Sequence, residues 1–186
     1  MFPTVDHDAP GGKLAENVMY FARLLRAAGL RATTKPCPPR GEGLLAGVGP
    51  EGGGTLLLGH HDTVWPMGTL GEIPWGTKDG RATGPGVFDM KAGIVVAMAV
   101  LEELAREGNP PAVSLLLTPD EEVGTEASRS WLLDVARRHR QVLVLEPSLD
   151  GAAKVARKGT GGFEVSFHGR AAHAGLVFQE RGSEKN

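Results

Sequence analysis

The sequence predicts an α/β protein with a largely parallel sheet and flanking helices. Leu56-Leu57-Leu58 is an apolar run without alternation, as expected of a strand covered on both faces. Leu115-Leu116-Leu117 and Val142-Leu143-Val144-Leu145 repeat the pattern. Helical periodicity fills the intervals. The order strand, helix, strand, helix, strand favours parallel pairing through crossover connections.

Leu14, Val18, Phe21 and Leu25 step by 4, 3 and 4, which makes one apolar helix face that Gly29 ends. Residues 30–35 and 43–48 read as short strands around the loop Pro36-Cys37-Pro38-Pro39, and Gly52-Gly53-Gly54 turns the chain into the Leu56 strand. Residues 63–86 form a long connection rich in Gly and Pro, of a kind that is usually functional or mobile. Within it, Trp65, Pro66, Pro74 and Trp75 either pack locally or wall a substrate site. A helix follows from Asp89 to about Gly108. Ile94, Met98, Leu101 and Ala105 form its buried stripe, and Glu102, Glu103, Arg106 and Glu107 its wet side. After the Val113 strand, a helix from about Glu126 to His139 presents Ala127, Trp131 and Val135 on one face.

Past Gly151 the pattern changes. Phe163, Val165 and Phe167 alternate with Glu164, Ser166 and His168, the period of a half-buried antiparallel strand. The expected organisation is a first domain over residues 1–151 and the start of a smaller α+β unit over residues 152–186. A segment of about 35 residues cannot bury a core of its own.

Composition narrows the function. The 186 residues are 41% hydrophobic and 23% charged, which suits a folded protein. A net charge of −2 offers no basic face for nucleic acid. The longest uncharged, mainly apolar stretch, Ala92 to Leu101, is ten residues, against roughly 18 for a membrane span. The single cysteine, Cys37, cannot form an internal disulfide, and the N-terminus lacks the basic and apolar regions of a secretory signal. A cytoplasmic protein without nucleic-acid or membrane partners is expected.

The chemistry gathers where the strands end. His60 and Asp62 leave the Leu56 strand on the same side, while His61 points away. Asp62 is placed to orient His60 through its second ring nitrogen, as in carboxylate–histidine–zinc arrangements. Asp89 follows Gly84-Pro85-Gly86 at a helix start, where it serves as an N-cap or as a site carboxylate. Asp120-Glu121-Glu122 follows the second strand and Glu146 the third. Clustered carboxylates need solvent or cations, and parallel sheets bind ligands at the carboxyl ends of their strands. Imidazole and carboxylate together suit zinc. A metal-activated water, with a glutamate as proton acceptor, hydrolyses amides. Phosphoester hydrolysis uses similar two-metal sites and stays open on the residues alone.

Four segments, taken together, resemble the zinc exopeptidase family: Gly59-His60-His61-Asp62-Thr63-Val64, Gly84 to Gly93, Asp120-Glu121-Glu122-Val123-Gly124-Thr125 and Glu146-Pro147. That family includes carboxypeptidase G-type glutamate carboxypeptidases, aminoacylases, acetylornithine deacetylase and succinyl-diaminopimelate desuccinylase. Arg157-Lys158-Gly159 and Ala172-His173-Ala174-Gly175 bring the glutamate carboxypeptidase branch nearest. The resemblance implies two Zn2+ in a full-length member, with Co2+ or Mn2+ as substitutes. It implies His60, Asp89 and Glu146 on one zinc, Asp89 and Glu122 on the other, and a cis peptide between Asp89 and Met90. It gives Glu121 the role of general base, Asp62 that of orienting His60, and His173 that of oxyanion stabiliser from a lid and dimerisation domain. Outside that family His173 would read as an ordinary histidine at a helix start.

The implied activity is hydrolysis of a peptide or N-acyl amino acid beside a free carboxylate, by a homodimer when full-length. Family members usually carry another helix before the position of Met1, and a last zinc-binding histidine after the lid. The chain therefore resembles roughly the first half of an enzyme. The alternative expectation is a catalytically incomplete fragment that binds metal or a partner without turnover.

Overall fold

A computed structural model of the chain describes residues 13–159, 161–166 and 168. The chain divides at Asp150–Gly151 into two units. In the first, helix α1 (Lys13–Ala27) leads into strands β1 (Arg31–Pro36), β2 (Glu42–Val48) and β3 (Thr55–His60). The connection after β3 holds a helical turn, α2 (Thr69–Glu72), and a small hairpin, β4 (Gly76–Lys78) with β5 (Arg81–Thr83). A wide turn over Val87–Lys91 opens helix α3 (Ala92–Ala105). Strand β6 (Val113–Thr118), a tight turn (Glu121–Val123), helix α4 (Arg129–Ala136) and strand β7 (Gln141–Val144) follow.

The five-stranded sheet has the order β1-β2-β6-β3-β7. β6 and β7 pair with β3 in parallel, whereas β2 lies antiparallel to both β1 and β6. Only β2 opposes the common direction. The short loop between β1 and β2 explains this, because a parallel neighbour would need a long crossover.

The leucine runs are covered on both faces. Leu57, Leu115 and Leu117 join Val18, Phe21 and Leu25 of α1 and Ile94, Ala97 and Leu101 of α3 in one apolar cluster. Leu56 and Leu116 join Cys37, Trp131 and Val135 in the other, so α4 closes the second face. α1 keeps the predicted stripe and adds Asn17 and Ala22 to it.

Several predicted elements differ in detail. α3 starts at Ala92 because Asp89 holds an extended backbone, φ −116° and ψ 104°, which no helix passes through. Its buried residues are Ile94, Ala97 and Leu101, with Met98 and Ala105 partly buried against the same core. α4 is shorter than expected. Gly124 and Thr125 adopt left-handed φ, so the chain becomes helical only at Arg129. β7 has the apolar pattern of its neighbours but is exposed along its length, since only its β3 side is paired among the described residues. Residues 163–166 form no strand, and Phe163 and Val165 are exposed. A strand needs a pairing edge, and none meets them among the described residues. Phe167 lies outside those residues. Among them no helix is long and apolar enough to cross a membrane.

Candidate metal centre

Strand register sets the site. His60 pairs with Thr118, and Leu58 with Val144, so the exits of β3, β6 and β7 lie level. The ladder continues one step beyond each strand, with His61 N donating to Thr118 O at 3.0 Å and Leu145 N to Leu58 O at 2.8 Å. α3 closes in from its N-terminal end. A Cβ on Gly93 would stand 2.5 Å from the Leu145 carbonyl, so only glycine lets the helix approach the backbone before Glu146.

His60 is the hub. Its side chain is 2% exposed. Nε2 lies 3.1 Å from Asp89 Oδ1, 3.4 Å from Glu146 Oε1 and 3.9 Å from Glu121 Oε2. Nδ1 faces Asp62, 3.2 Å from Oδ1 and 3.3 Å from the carbonyl. The fully buried Asp62 carboxylate also accepts N–H bonds from Glu121 at 3.3 Å and Glu122 at 3.0 Å. One side chain thus ties the β3 exit to the turn carrying both glutamates. The peptide between Asp89 and Met90 is cis, as the resemblance implied, and Met90 Sδ accepts the His60 N–H at 3.1 Å.

Among the described residues, two groups of side chains have ligand atoms within 4.8 Å of one another: His60 with Glu121 and Glu146, and His60 with Asp89 and Glu122. Both share the one imidazole of His60. His61 turns away, with Nε2 donating to the Glu42 carbonyl at 2.9 Å. Asp120 also leaves the cluster. Its buried carboxylate accepts bonds from Ala127 N, Ser128 N and Ser128 Oγ, and so organises the approach to α4. Of the three adjacent acids, the turn therefore delivers two. His173 lies outside the described residues.

Electrostatics fit a cation at this place. Burial opposes charge on His60, yet the hydrogen bond and charge of Asp62, with Glu121 and Glu146, push its pKa up to about 9. Burial likewise works against the Asp62 carboxylate, but His60 and the Glu122 N–H hold its pKa below the usual range. Burial, aided by neighbouring carboxylates, raises the pKa of Glu122 and Glu146. Burial takes His61 down to about 4, which keeps it neutral at physiological pH. A set of one imidazole and four mutually repelling carboxylates is a donor set for a hard or borderline divalent ion.

Lys91 had no role in the sequence reading. It is buried, its Nζ donates to the His61 carbonyl at 3.2 Å, and burial lowers its pKa to about 8. No local pattern signalled it, because its burial depends on residues distant in the chain. The aromatics of the long connection are less enclosed than local packing would make them. Trp65 and Trp75 are both exposed, and so is Phe88 in the turn that follows, by 76%.

The chain resembles known proteins in both sequence and fold. The chain is 33% identical over 143 residues to carboxypeptidase G2 of Pseudomonas sp. (strain RS-16), covering 74% of this chain and 34% of that protein. It is 32% identical over 185 residues to succinyl-diaminopimelate desuccinylase of Methylobacterium nodulans, covering 89% of this chain and 46% of that one. The chain thus spans a third to just under half of these curated relatives. Human carnosine dipeptidase 1 superposes with a TM-score of 0.60 over 71% of this chain and 32% of its own, at 16% identity. An M20 family metallo-carboxypeptidase of Sulfolobus solfataricus gives 0.59 over 72% and 32%, also at 16% identity. These two likenesses establish the α/β fold. The family model for peptidase family M20/M25/M40 matches residues 56–177, which run from the first leucine of β3 past all the converging acids, and the chain belongs to that family.

Proposed function

We propose that this chain carries the metal-binding half of an enzyme that hydrolyses the amide bond of a peptide or N-acyl amino acid. The observation that carries the reading is the convergence of Asp89, Glu121, Glu122 and Glu146 on His60 at the carboxyl ends of parallel strands. In this reading His60, Asp89, Glu122 and Glu146 hold the metal, zinc first and cobalt or manganese as substitutes, with two ions in the full-length protein. The bound metal supplies Lewis-acid polarisation of the scissile carbonyl and acidifies the attacking water.

The remaining chemistry belongs to the protein. Asp62 accepts the Nδ1 proton of His60, which leaves Nε2 as the free donor atom. Glu121 has a half-exposed carboxylate open to substrate. It takes a proton from water as oxygen attacks the carbonyl carbon, then passes that proton to the amine nitrogen as the C–N bond breaks. The exposed side chains of Trp65, Trp75 and Phe88 would supply apolar surface for the substrate.

The division at Asp150–Gly151 supports a second, lid-type unit from residue 152 onward. His173 within it would stabilise the oxyanion, in a cytoplasmic homodimer. A specific observation favours a second reading, in which this chain alone binds one ion without turnover: both ligand groups share His60, and His61 is committed to Glu42. Elemental analysis of the purified chain decides between them. About two ions per chain, with release of amino acid from an N-acyl substrate, sustains the enzyme reading for this chain. One ion and no release assigns turnover to a longer protein. A chain that takes up no divalent ion removes both.

A further inference from the structure

Lys91 stands outside the donor set yet is buried beside it, with 7% of its surface exposed. Its ammonium is placed by contacts from two directions. Nζ donates to the His61 carbonyl at 3.2 Å. A Cβ on Gly86 would lie 3.3 Å from Nζ, so the lysine head lies close over the Gly86 turn. The backbone closes the same turn, with Lys91 N donating to Gly86 O at 3.0 Å.

These contacts join separate parts of the chain. His61 follows His60 at the exit of β3. Lys91 ends the turn that carries Asp89. Asp62 and Glu122 are the carboxylates whose charge reaches the ammonium. We propose that Lys91 is a positioning residue for the metal centre: by gripping the His61 carbonyl from the Asp89 turn, it fixes the spacing between His60 and Asp89. The inference rests on the metal-binding reading above.

A positioning role and a mere counter-charge role differ in sign. A buried positive charge beside a cation site repels the incoming ion, so removing it should tighten binding if charge were all that Lys91 supplied. If Lys91 sets the geometry, its removal should weaken binding, as loss of supporting contacts around metal ligands typically costs about 10–100-fold.

The test is calorimetric titration of the purified 186-residue chain with Zn2+, and the visible spectrum of its Co2+ form, for wild type, Lys91→Met and Lys91→Arg. The expected result for a folded Lys91→Met is affinity at least about tenfold weaker and a changed Co2+ ligand-field spectrum. Should Lys91→Met fail to fold by circular dichroism, Lys91→Arg decides. It keeps the charge but replaces the compact ammonium with a larger planar head that does not reproduce the Nζ bond to the His61 carbonyl, so a shifted Co2+ spectrum is expected. Equal or tighter Zn2+ affinity with an unchanged spectrum in either folded variant overturns the proposal. A wild-type chain that binds neither ion overturns the metal-centre reading instead, which keeps the two failures distinct.

Discussion

Both candidate ligand groups pass through His60, so in the proposed site its protonation governs metal uptake. With a pKa near 9 the metal-free imidazole is charged at neutral pH, so an ion that binds Nε2 must displace a proton. Zn2+ affinity should therefore rise with pH up to about 9, with close to one proton released per ion. Titration in buffers of different ionisation enthalpy measures that release. Linkage gives a second consequence. A histidine pKa raised above its unfolded value of 6.5 stabilises the fold fully below pH 6.5, and that stability is lost as pH rises toward 9. The metal-free chain should melt at a lower temperature at pH 8 than at pH 6.5. Thermal scans in the presence of a chelator test this, and a rise over that window would contradict it. Glu121 and Glu146 separate by exposure, since the Glu146 side chain is half as exposed. Glu121→Gln should lower kcat at least about 100-fold in the full-length enzyme while the metal stays bound. Glu146→Ala should instead weaken Zn2+ binding at least about tenfold, and unchanged affinity would remove Glu146 from the site.

At the scale of elements, the site depends on helices that never touch it. α4 carries Trp131 over the second face, where its ring fills the space above Gly43. A Cβ there would stand 2.3 Å from ring carbon Cζ3. Trp131→Ala should cost about 3–5 kcal/mol, read from the denaturant midpoint, because the ring leaves a cavity that backbone cannot fill. Both strands under this face, β3 and β6, end at the site, so the loss should also loosen metal binding. The helix stripes and leucine strands behind this packing were legible in sequence, because period and length are local properties. The ends of α3 and α4 were not. They are set by the backbone of Asp89 and by the bonds that Asp120 makes to Ala127 and Ser128, neither of which shows in a hydrophobic pattern.

For the whole unit, metal binding at the proposed site is expected to be linked to folding. Five carboxylates, with Asp62 included, share one cluster, and their repulsion is relieved by a cation. A bound ion at 100 times its dissociation constant adds about 2.7 kcal/mol of stability. Removing it with a chelator should lower the melting temperature, and re-addition of Zn2+ should restore it. An unchanged melting temperature would place the ion outside the folded core. β7 contributes in the opposite sense. Its apolar residues are exposed and one edge is unpaired among the described residues, the arrangement that invites a further strand or chain.

The sequence by itself determined the layers, the three leucine strands and the residues that can carry charge to their ends. Unbroken apolar runs, helical period and acidic or imidazole side chains are all written in the order of residues. The tertiary structure decided which of those charges meet. Asp120 and Glu121 are neighbours in the chain, yet one is buried under α4 and the other faces His60, because a tight turn sends successive side chains apart. His61 and His60 part for the same reason at a strand end. The direction of β2, the exposure of β7 and the burial of Lys91 over Gly86 depend on contacts between residues far apart in the chain, and no local pattern encodes such contacts.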